Sequence, residues 1–209
     1  MCSRFDIGVK KMKRIFWGLL FTVLASTNVF AIEKVLPQPE QSGGKPLMEV
    51  LKQRRSNREF SNKAIDEQTL SNLLWVAYGV SSQDGKRTIP TAMNKKELDI
   101  YVADGKGVWL YDADANKLKQ VNDKNILGLF KTQDYMTDVP LVLIYVGDKN
   151  VRYADMHAGS AYQNVSLYTT SIGMNSVVRG YFDTDKVAKE LNLATTKKII
   201  ISQAVGWGK

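Results

Sequence analysis

Cysteine and histidine are almost absent from this chain of 209 residues, which contains one of each, Cys2 and His157. One imidazole and one thiol cannot supply the three or four ligands of a zinc-type centre, so no metal site is expected. Cys2 has no partner for an internal disulfide. Serine-hydrolase chemistry would depend entirely on His157, and the Gly-x-Ser-x-Gly turn that presents such a serine is missing.

Sequence motifs for nucleotide and nucleic-acid binding are missing as well. Neither the Gly-x-Gly-x-x-Gly fingerprint nor the Gly-x-x-x-x-Gly-Lys-Ser/Thr loop occurs. The basic residues are spread along the chain and form no stripe of lysine and arginine with interleaved aromatics, so no nucleic-acid partner is expected. Because so few side chains can carry chemistry, we expect a bound cofactor to carry it.

The first 31 residues have the order typical of a signal peptide. Four basic residues lie between positions 10 and 14, an apolar run extends from Ile15 to Ser26, and Val29-Phe30-Ala31 provides small residues for cleavage. The apolar run is shorter than the roughly 20 residues that span a bilayer, although an N-terminal membrane anchor is the alternative. We therefore predict that residues 1–31 are removed from an exported, periplasmic protein that keeps no membrane attachment.

Loss of this leader changes both charge and length. It removes five basic residues and one acidic residue, so the formal net charge falls from +8 to +4. Cys2 leaves with it, and the mature protein then has no thiol nucleophile. The 178 residues that remain are enough for one domain with a sizeable core.

The remaining chain is predicted to begin with an extended linker, residues 32–44, followed by one domain, residues 45–209. Hydrophobic periodicity and turn residues predict helices and strands within that domain. The helices are predicted at residues 46–53, 66–79, 155–172 and 183–191, and the strands at residues 98–102, 108–111 and 139–146 and from residue 199 onwards. Helices and strands alternate irregularly around at least one hairpin, which favours an α+β fold.

The segment from Arg54 to Phe60 contains three arginines and a serine hydroxyl within its first five residues. Guanidinium groups carry fixed positive charge and several donors, so this clustering suits a phosphate monoester. The same residues also suit a solvated helix C-terminus, where basic side chains complement the helix dipole. The segment alone leaves both interpretations open.

Several segments, taken together and in order, resemble the FMN-dependent nitroreductase family. They are residues 54–60, residues 73–79 (Leu-Leu-Trp-Val-Ala-Tyr-Gly), residues 87–94 (Arg-Thr-Ile-Pro-Thr-Ala-Met-Asn), residues 155–174 and residues 203–209. The resemblance covers nearly all of the chain after the leader. It implies an antiparallel-rich mixed sheet flanked by helices, in an intertwined homodimer that holds two FMN molecules at the subunit interface.

The resemblance also implies which residues contact FMN, and it implies no catalytic side chain. The phosphate and ribityl chain would be bound by Arg54, Arg55, Ser56, Arg58 and Lys209. The isoalloxazine ring would be approached from the partner subunit by Pro90, Thr91, Ala92 and Asn94. Along the flavin edge and in the C-terminal segment, the implied contacts are Arg179, Gly180 and Gly206.

The chain departs from the family pattern at three places. Thr91 stands where serine is usual, which keeps the hydroxyl and adds a methyl group. Arg179 occupies a position that is acidic in some members, which would change the electrostatics beside the flavin. The sequence ends at Lys209 without the C-terminal extension that embraces the partner, so a reshaped dimer is expected.

The activity implied by the resemblance is two-electron hydride transfer from a reduced donor to a flat nitro-, quinone- or ene-type acceptor. NAD(P)H is a possible donor, but it is scarce outside the cytoplasm, so a membrane or protein donor is expected if export occurs. Two alternatives stay open. One is a flavin-dependent dehydrogenase or oxidase of an amino-acid or peptide-derived substrate, and the other is an FMN-binding protein without turnover.

Overall fold

The computed structural model describes Met1 and residues 32–209. Apart from Met1, the predicted leader lies outside the described residues. The described chain forms four α-helices and seven β-strands. The helices are α1 (Leu47–Gln53), α2 (Glu67–Tyr78), α3 (Ala154–Ser171) and α4 (Thr184–Glu190). The strands are β1 (Glu33–Val35), β2 (Leu98–Asp104), β3 (Gly107–Asp112), β4 (Lys117–Asn122), β5 (Leu141–Asp148), β6 (Met174–Arg179) and β7 (Lys197–Trp207).

All seven strands join one sheet in the order β1-β4-β3-β2-β5-β7-β6. Every pairing between these strands is antiparallel. The predicted α+β class is therefore confirmed, and the sheet in this part of the chain contains no parallel pair. Strand β5 is buried along almost its whole length, as its continuous apolar run predicts.

Helix α2 begins and ends where the sequence predicts. The Asp66 side chain accepts a hydrogen bond from the backbone N–H of Thr69 at 2.7 Å, which satisfies one of the free donors at the helix start. At the other end, the N–H of Gly79 closes the last turn on the carbonyl of Trp75. Apolar residues at helical spacing, including Leu70, Leu73 and Leu74, face the core between these ends.

Alternating residues of the central strands belong to two separate hydrophobic clusters, one on each face of the sheet. Leu141, Leu143 and Tyr145 of β5 belong to the cluster formed with helices α2 and α3. Val142 and Ile144 belong to the opposite cluster, which contains the segment 126–139 and helix α4. Because strand side chains alternate in direction, both faces of this sheet are covered and its central side chains are buried.

Helix α3 is fixed to the sheet by a buried polar side chain. Gln203 of β7 is fully buried, accepts a hydrogen bond from the Tyr145 hydroxyl at 2.6 Å, and donates to the Tyr162 carbonyl at 3.2 Å. Its partners lie on β5 and on α3, so one amide joins three elements. Neither α3 nor any other helix within residues 32–209 is both long and apolar enough to cross a membrane.

Three strands were not predicted, and one of them changes the expected linker. Residues 33–35, which fall in the predicted linker 32–44, form the edge strand β1 against β4. Strand β4 has a lysine-rich sequence in which only Leu118 is buried. Its residues therefore lack the alternating apolar pattern that predicts a strand. Strand β6 follows Gly173, which adopts a φ of 76° and turns the chain directly out of α3.

Candidate functional site

The arginine segment, residues 54–58, leaves the end of α1 and runs along the outer edge of the sheet. The backbone N–H of Asn57 donates to the carbonyl of Ser176 in strand β6, at 3.2 Å. The side chain of Asn175 donates to the carbonyl of Glu59 at 2.7 Å and accepts from the Asn57 amide at 2.9 Å. These bonds hold the backbone of the segment in place while its side chains reach solvent.

Positive charge on this segment is not neutralised by the rest of the described chain. No carboxylate within residues 32–209 forms an ion pair with Arg54, Arg55 or Arg58. Arg55 donates only to backbone carbonyls, those of Lys52 and of Arg54, at 3.1 and 2.8 Å. The contact with the Lys52 carbonyl shows that Arg55 caps α1, as the helix-end interpretation predicts, and the phosphate-binding interpretation stays a prediction.

The C-terminal segment passes beside the arginine segment. The N–H of Ser61 donates to the carbonyl of Trp207 at 2.9 Å. A Cβ on Gly206 would lie 2.8 Å from Pro140 and 3.1 Å from Phe60, so close packing alone requires glycine there. Lys209 forms an exposed ion pair with Asp138 at 3.1 Å, a contact weak enough to be exchanged for another anion.

The loop from Pro90 to Asn94 lies at the first turn of α3. The backbone N–H of Ala92 donates to Nε2 of His157 at 3.0 Å. Met93 and Asn94 follow with φ values of 52° and 51°, a left-handed conformation that side chains other than glycine rarely adopt. Pro90 and Asn94 are exposed, and Thr91 is half-buried.

One chain does not bring this loop and the arginine segment together. His157 lies in the first turn of α3, whereas Ser176, which binds the arginine segment, contacts Thr169 near the last turn. A rise of about 1.5 Å per residue places these two ends of the helix roughly 18 Å apart. The loop and the arginine segment thus form two groups of predicted contacts, one at each end of α3.

Arg179 is directed into the protein. The residue is 5% exposed, and its guanidinium donates to the carbonyls of Phe130 and Tyr181 and to the Thr132 hydroxyl, each at 2.6 Å. It therefore joins the loop around residues 130–133 to the end of β6. Its predicted contact with a flavin stays a prediction, and in this structure its two terminal nitrogens donate to the chain's own acceptors. Gly180, the next residue, is exposed.

Three residues near these groups were not among the sequence predictions. Asn175 supports the arginine segment, and the ring of Tyr135 lies between Arg58 and Arg179, at 5.7 and 6.0 Å from their guanidinium carbons. Glu97 faces His157 across 4.0 Å. A single asparagine, tyrosine or glutamate carries no motif, and only the folded chain brings them to these positions.

A cavity of about 520 Å³ opens between α1, α2 and α3, and none of residues 54–58 lines it. Its lining includes Trp75, Arg87, Asn164 and Tyr168. Asn164 is half-buried and donates to the carbonyl of Val76 at 3.0 Å. Within the described residues, no cluster of histidine, cysteine, aspartate and glutamate could hold a metal ion.

Comparison with known proteins gives consistent relatives. The profile of the Nitroreductase family matches residues 51–207. The protein named "Putative nitroreductase MJ1384" of Methanocaldococcus jannaschii is 30% identical over 168 residues, which cover 70% of this chain and 84% of that protein.

Solved structures agree with this result. A crystal structure titled "putative nitroreductase" from Ralstonia eutropha is 30% identical and superposes with a TM-score of 0.78 over 85% of this chain and 90% of that one. A second such structure, from Anabaena variabilis, is 19% identical with a TM-score of 0.74 over 87% of this chain and 42% of that one, and shows the shared fold. The family match over most of the described chain, on a sheet and helices that superpose with solved members, shows that this chain belongs to the nitroreductase family of oxidoreductases.

Proposed function

We propose that the protein is an FMN-dependent oxidoreductase that transfers a hydride between a reduced donor and a flat nitro-, quinone- or ene-type acceptor. The observation that carries the proposal is the arginine segment: three guanidinium groups held along a sheet edge with no carboxylate partner among the described residues. A dianionic phosphate is the ligand that best matches this charge and these donors. The family supports a flavin as the molecule that bears the phosphate.

The residues present fit the phosphate end of FMN. Arg54, Arg55 and Arg58 have donors free of carboxylates, and Ser56 is exposed beside them. Lys209 could add a cation by exchanging its exposed partner Asp138. Bound FMN would supply two-electron hydride transfer, a chemistry that needs no nucleophile from the protein. The guanidinium groups bind and orient the phosphate, and they contribute positive potential to the site.

A homodimer would complete the site. The arginine segment and the loop 90–94 lie at opposite ends of α3, so a two-fold axis that places two α3 helices antiparallel would bring one chain's loop to its partner's arginines. The loop's Pro90, Thr91, Ala92 and Asn94 would then approach a ring whose phosphate the other chain holds. Exposed apolar residues on α1, Leu47 at 61%, Met48 at 76% and Leu51 at 44%, offer surface for such an interface.

Export to the periplasm is proposed from the leader-like residues 1–31. In that compartment the reductant would be a membrane or protein donor in place of NAD(P)H. Cell fractionation and N-terminal sequencing of the purified protein test this. A mature chain beginning at Ile32 in the periplasmic fraction is expected, and an uncleaved cytoplasmic chain would contradict export.

Flavin binding is tested by titrating the purified protein with FMN and with riboflavin, which lacks the phosphate. The wild type is expected to bind FMN far more tightly than riboflavin. Arg54→Ala, Arg55→Ala and Arg58→Ala are each expected to lower FMN affinity about tenfold or more, since a charge-assisted bond contributes about 1.5–3 kcal/mol. Riboflavin affinity should stay unchanged. Arg152→Ala, at an exposed arginine elsewhere, is the control. Equal affinity for both flavins would refute the phosphate site.

Turnover is tested by adding NADPH and then menadione to the flavin-loaded protein without oxygen. Bleaching and recovery of the flavin absorbance would support the proposed cycle. Bleaching by an amino acid or peptide without nicotinamide would identify the dehydrogenase alternative. Flavin that binds and is reduced by no donor, dithionite excepted, would identify a binding protein.

A further inference from the structure

His157, the only histidine of the chain, lies inside the protein beside the loop 90–94. Its side chain is 5% exposed. Its Nε2 accepts the backbone N–H of Ala92 at 3.0 Å, a bond between residues 65 positions apart in sequence. A nitrogen that accepts a hydrogen bond must present its lone pair, so the proton of the neutral ring is on Nδ1.

Glu97 supports this protonation state from the other side of the ring. Its Oε2 lies 4.0 Å from Nδ1 of His157, and its side chain is 15% exposed. Within the described residues neither of these two buried atoms has a hydrogen-bond partner. A carboxylate facing Nδ1 favours the tautomer with the proton there, which leaves Nε2 free to accept.

The bond from Ala92 fixes the start of a strained turn. Met93 and Asn94 are consecutive left-handed residues, neither of them glycine. The N–H of Asn94 donates to the carbonyl of Thr91, and that of Lys95 to the carbonyl of Ala92. Such conformations persist only where surrounding contacts hold them, and they concentrate at ligand-binding loops. Among the described residues, His157 is the side chain from another element that hydrogen-bonds to this turn.

We infer that His157 is a positioning residue whose neutral Nδ1–H imidazole holds Ala92, and with it the turn at residues 91–94, in a binding-ready conformation. The turn's role at a flavin ring rests on the proposed function. The hydrogen bond from Ala92 needs only one acceptor atom, so a side chain that places an oxygen at the position of Nε2 should preserve it.

The tautomer can be measured directly because the whole chain has one imidazole. The full chain, purified through a tag without histidine, is labelled with ¹⁵N and studied by long-range ¹H–¹⁵N correlation. Protonated Nδ1 and unprotonated Nε2 are expected, with and without FMN. A protonated Nε2 would overturn the inference, and this readout requires no flavin.

A matched pair of variants tests whether the hydrogen bond from Ala92 to position 157 positions the turn. Gln at position 157 can place its Oε1 near the position of Nε2, whereas Asn is too short to reach Ala92. His157→Asn is expected to lower FMN affinity about fivefold, as for loss of one hydrogen bond, and to change the visible circular dichroism of bound flavin. His157→Gln should remain within about twofold of the wild type by the same reasoning.

Equal effects of the two variants, or no effect of either, would overturn the positioning role while leaving the proposed function intact. Failure of the wild type to bind FMN would refute the proposed function instead, and the nitrogen spectrum would still decide whether His157 holds Ala92. If His157→Asn does not fold, that same wild-type spectrum remains the deciding measurement.

Discussion

At the scale of single residues, Arg179 shows how a buried charged side chain can hold a loop in place. Its guanidinium binds two carbonyls and a hydroxyl around residues 130–132 and 181, and no carboxylate within the described chain faces it. A planar group with several fixed donors suits such a set of acceptors, and lysine could not reproduce it. The loop that Arg179 fixes borders Gly180 and Tyr181, so its effect on any ligand there acts through loop position.

Arg179→Met is therefore expected to destabilise the cofactor-free protein by about 2–4 kcal/mol, because buried acceptors lose charge-assisted bonds. Urea unfolding of the wild type and the variant measures this. Arg152→Met, at an exposed arginine that only stacks on Tyr153, should change the free energy of unfolding by less than about 0.5 kcal/mol. Similar stabilities for the wild type and Arg179→Met would show that the side chain is not structural.

The packing of Trp75 against Gly79 leaves no space for a side chain at position 79. A Cβ there would lie 2.3 Å from Cδ1 and 2.7 Å from Cα of Trp75. Gly79→Ala is expected to lower the free energy of unfolding by about 1–3 kcal/mol, as other overpacked sites do. Gly105→Ala is the matched control, since nothing lies within 4 Å of its Cβ. Chemical denaturation that finds equal stabilities for the two variants would contradict the packing argument.

At the scale of elements, the start of α2 makes a stability prediction that depends on pH. The N–H of Thr69 donates to the Asp66 carboxylate and lowers the pKa of this carboxyl from its ordinary value of 3.8. A carboxyl with a lowered folded pKa stabilises the protein above the unfolded pKa, and this contribution is lost as the pH falls through the folded pKa.

Asp66→Ala is expected to cost about 1 kcal/mol at pH 7. The difference from the wild type should shrink as the pH is lowered below 3.8. Asp66→Asn keeps a capping acceptor without a titrating group, so its stability should follow the wild type at pH 7 and lack this pH dependence. Denaturation curves between pH 7 and pH 3 would refute the assignment if Asp66→Ala kept a constant difference.

Elements with strong local signals were predictable, and those that depend on partners were not. Helix α2 has an N-cap residue, a helical spacing of apolar residues and a glycine at its end, and β5 has a continuous apolar run. The local sequence of each element therefore predicts it. Strand β4 has one buried apolar residue and β1 has three residues, so both form because β3 and β4 supply hydrogen bonds. Pairing of this kind is a tertiary effect that a local pattern does not contain.

The candidate site divides in the same way. The cluster of arginines is visible in the sequence because its residues are close together, and in the structure Arg55 and Arg58 are exposed and Arg54 is half-buried. The pairing of His157 with Ala92, across 65 positions, and the direction of Arg179 depend on the folded chain. Residue type alone predicts a charge for Arg179 and cannot predict which way its side chain points.

At the scale of the whole molecule, the proposed dimer makes α1 an interface. Met48→Glu, which places a charge on an apolar residue that is 76% exposed, should raise the dimer Kd about tenfold or more, equivalent to at least about 1.4 kcal/mol. FMN affinity should fall with it, because each site needs both chains. Sedimentation and flavin titration over a range of protein concentrations measure the two effects.

The control is Val35→Glu, at an exposed apolar residue of the edge strand β1. It should leave both the dimer and the flavin affinity unchanged. A wild type that stays monomeric at every concentration, or a Met48→Glu variant that dimerises normally, would contradict the proposed arrangement.

The position of the arginine segment has a consequence for solubility. Strand β6 is a terminal strand of the sheet. Its outer side is not paired with another strand of the sheet, and its backbone groups could pair with a strand of another molecule. The arginine segment covers part of that side through the hydrogen bonds of Asn57, and its charged side chains disfavour pairing with a strand of another molecule. The residues that suit a phosphate therefore also protect this edge of the sheet from pairing with other molecules. Proteolysis between Arg54 and Phe60 is expected to expose the edge and to increase aggregation.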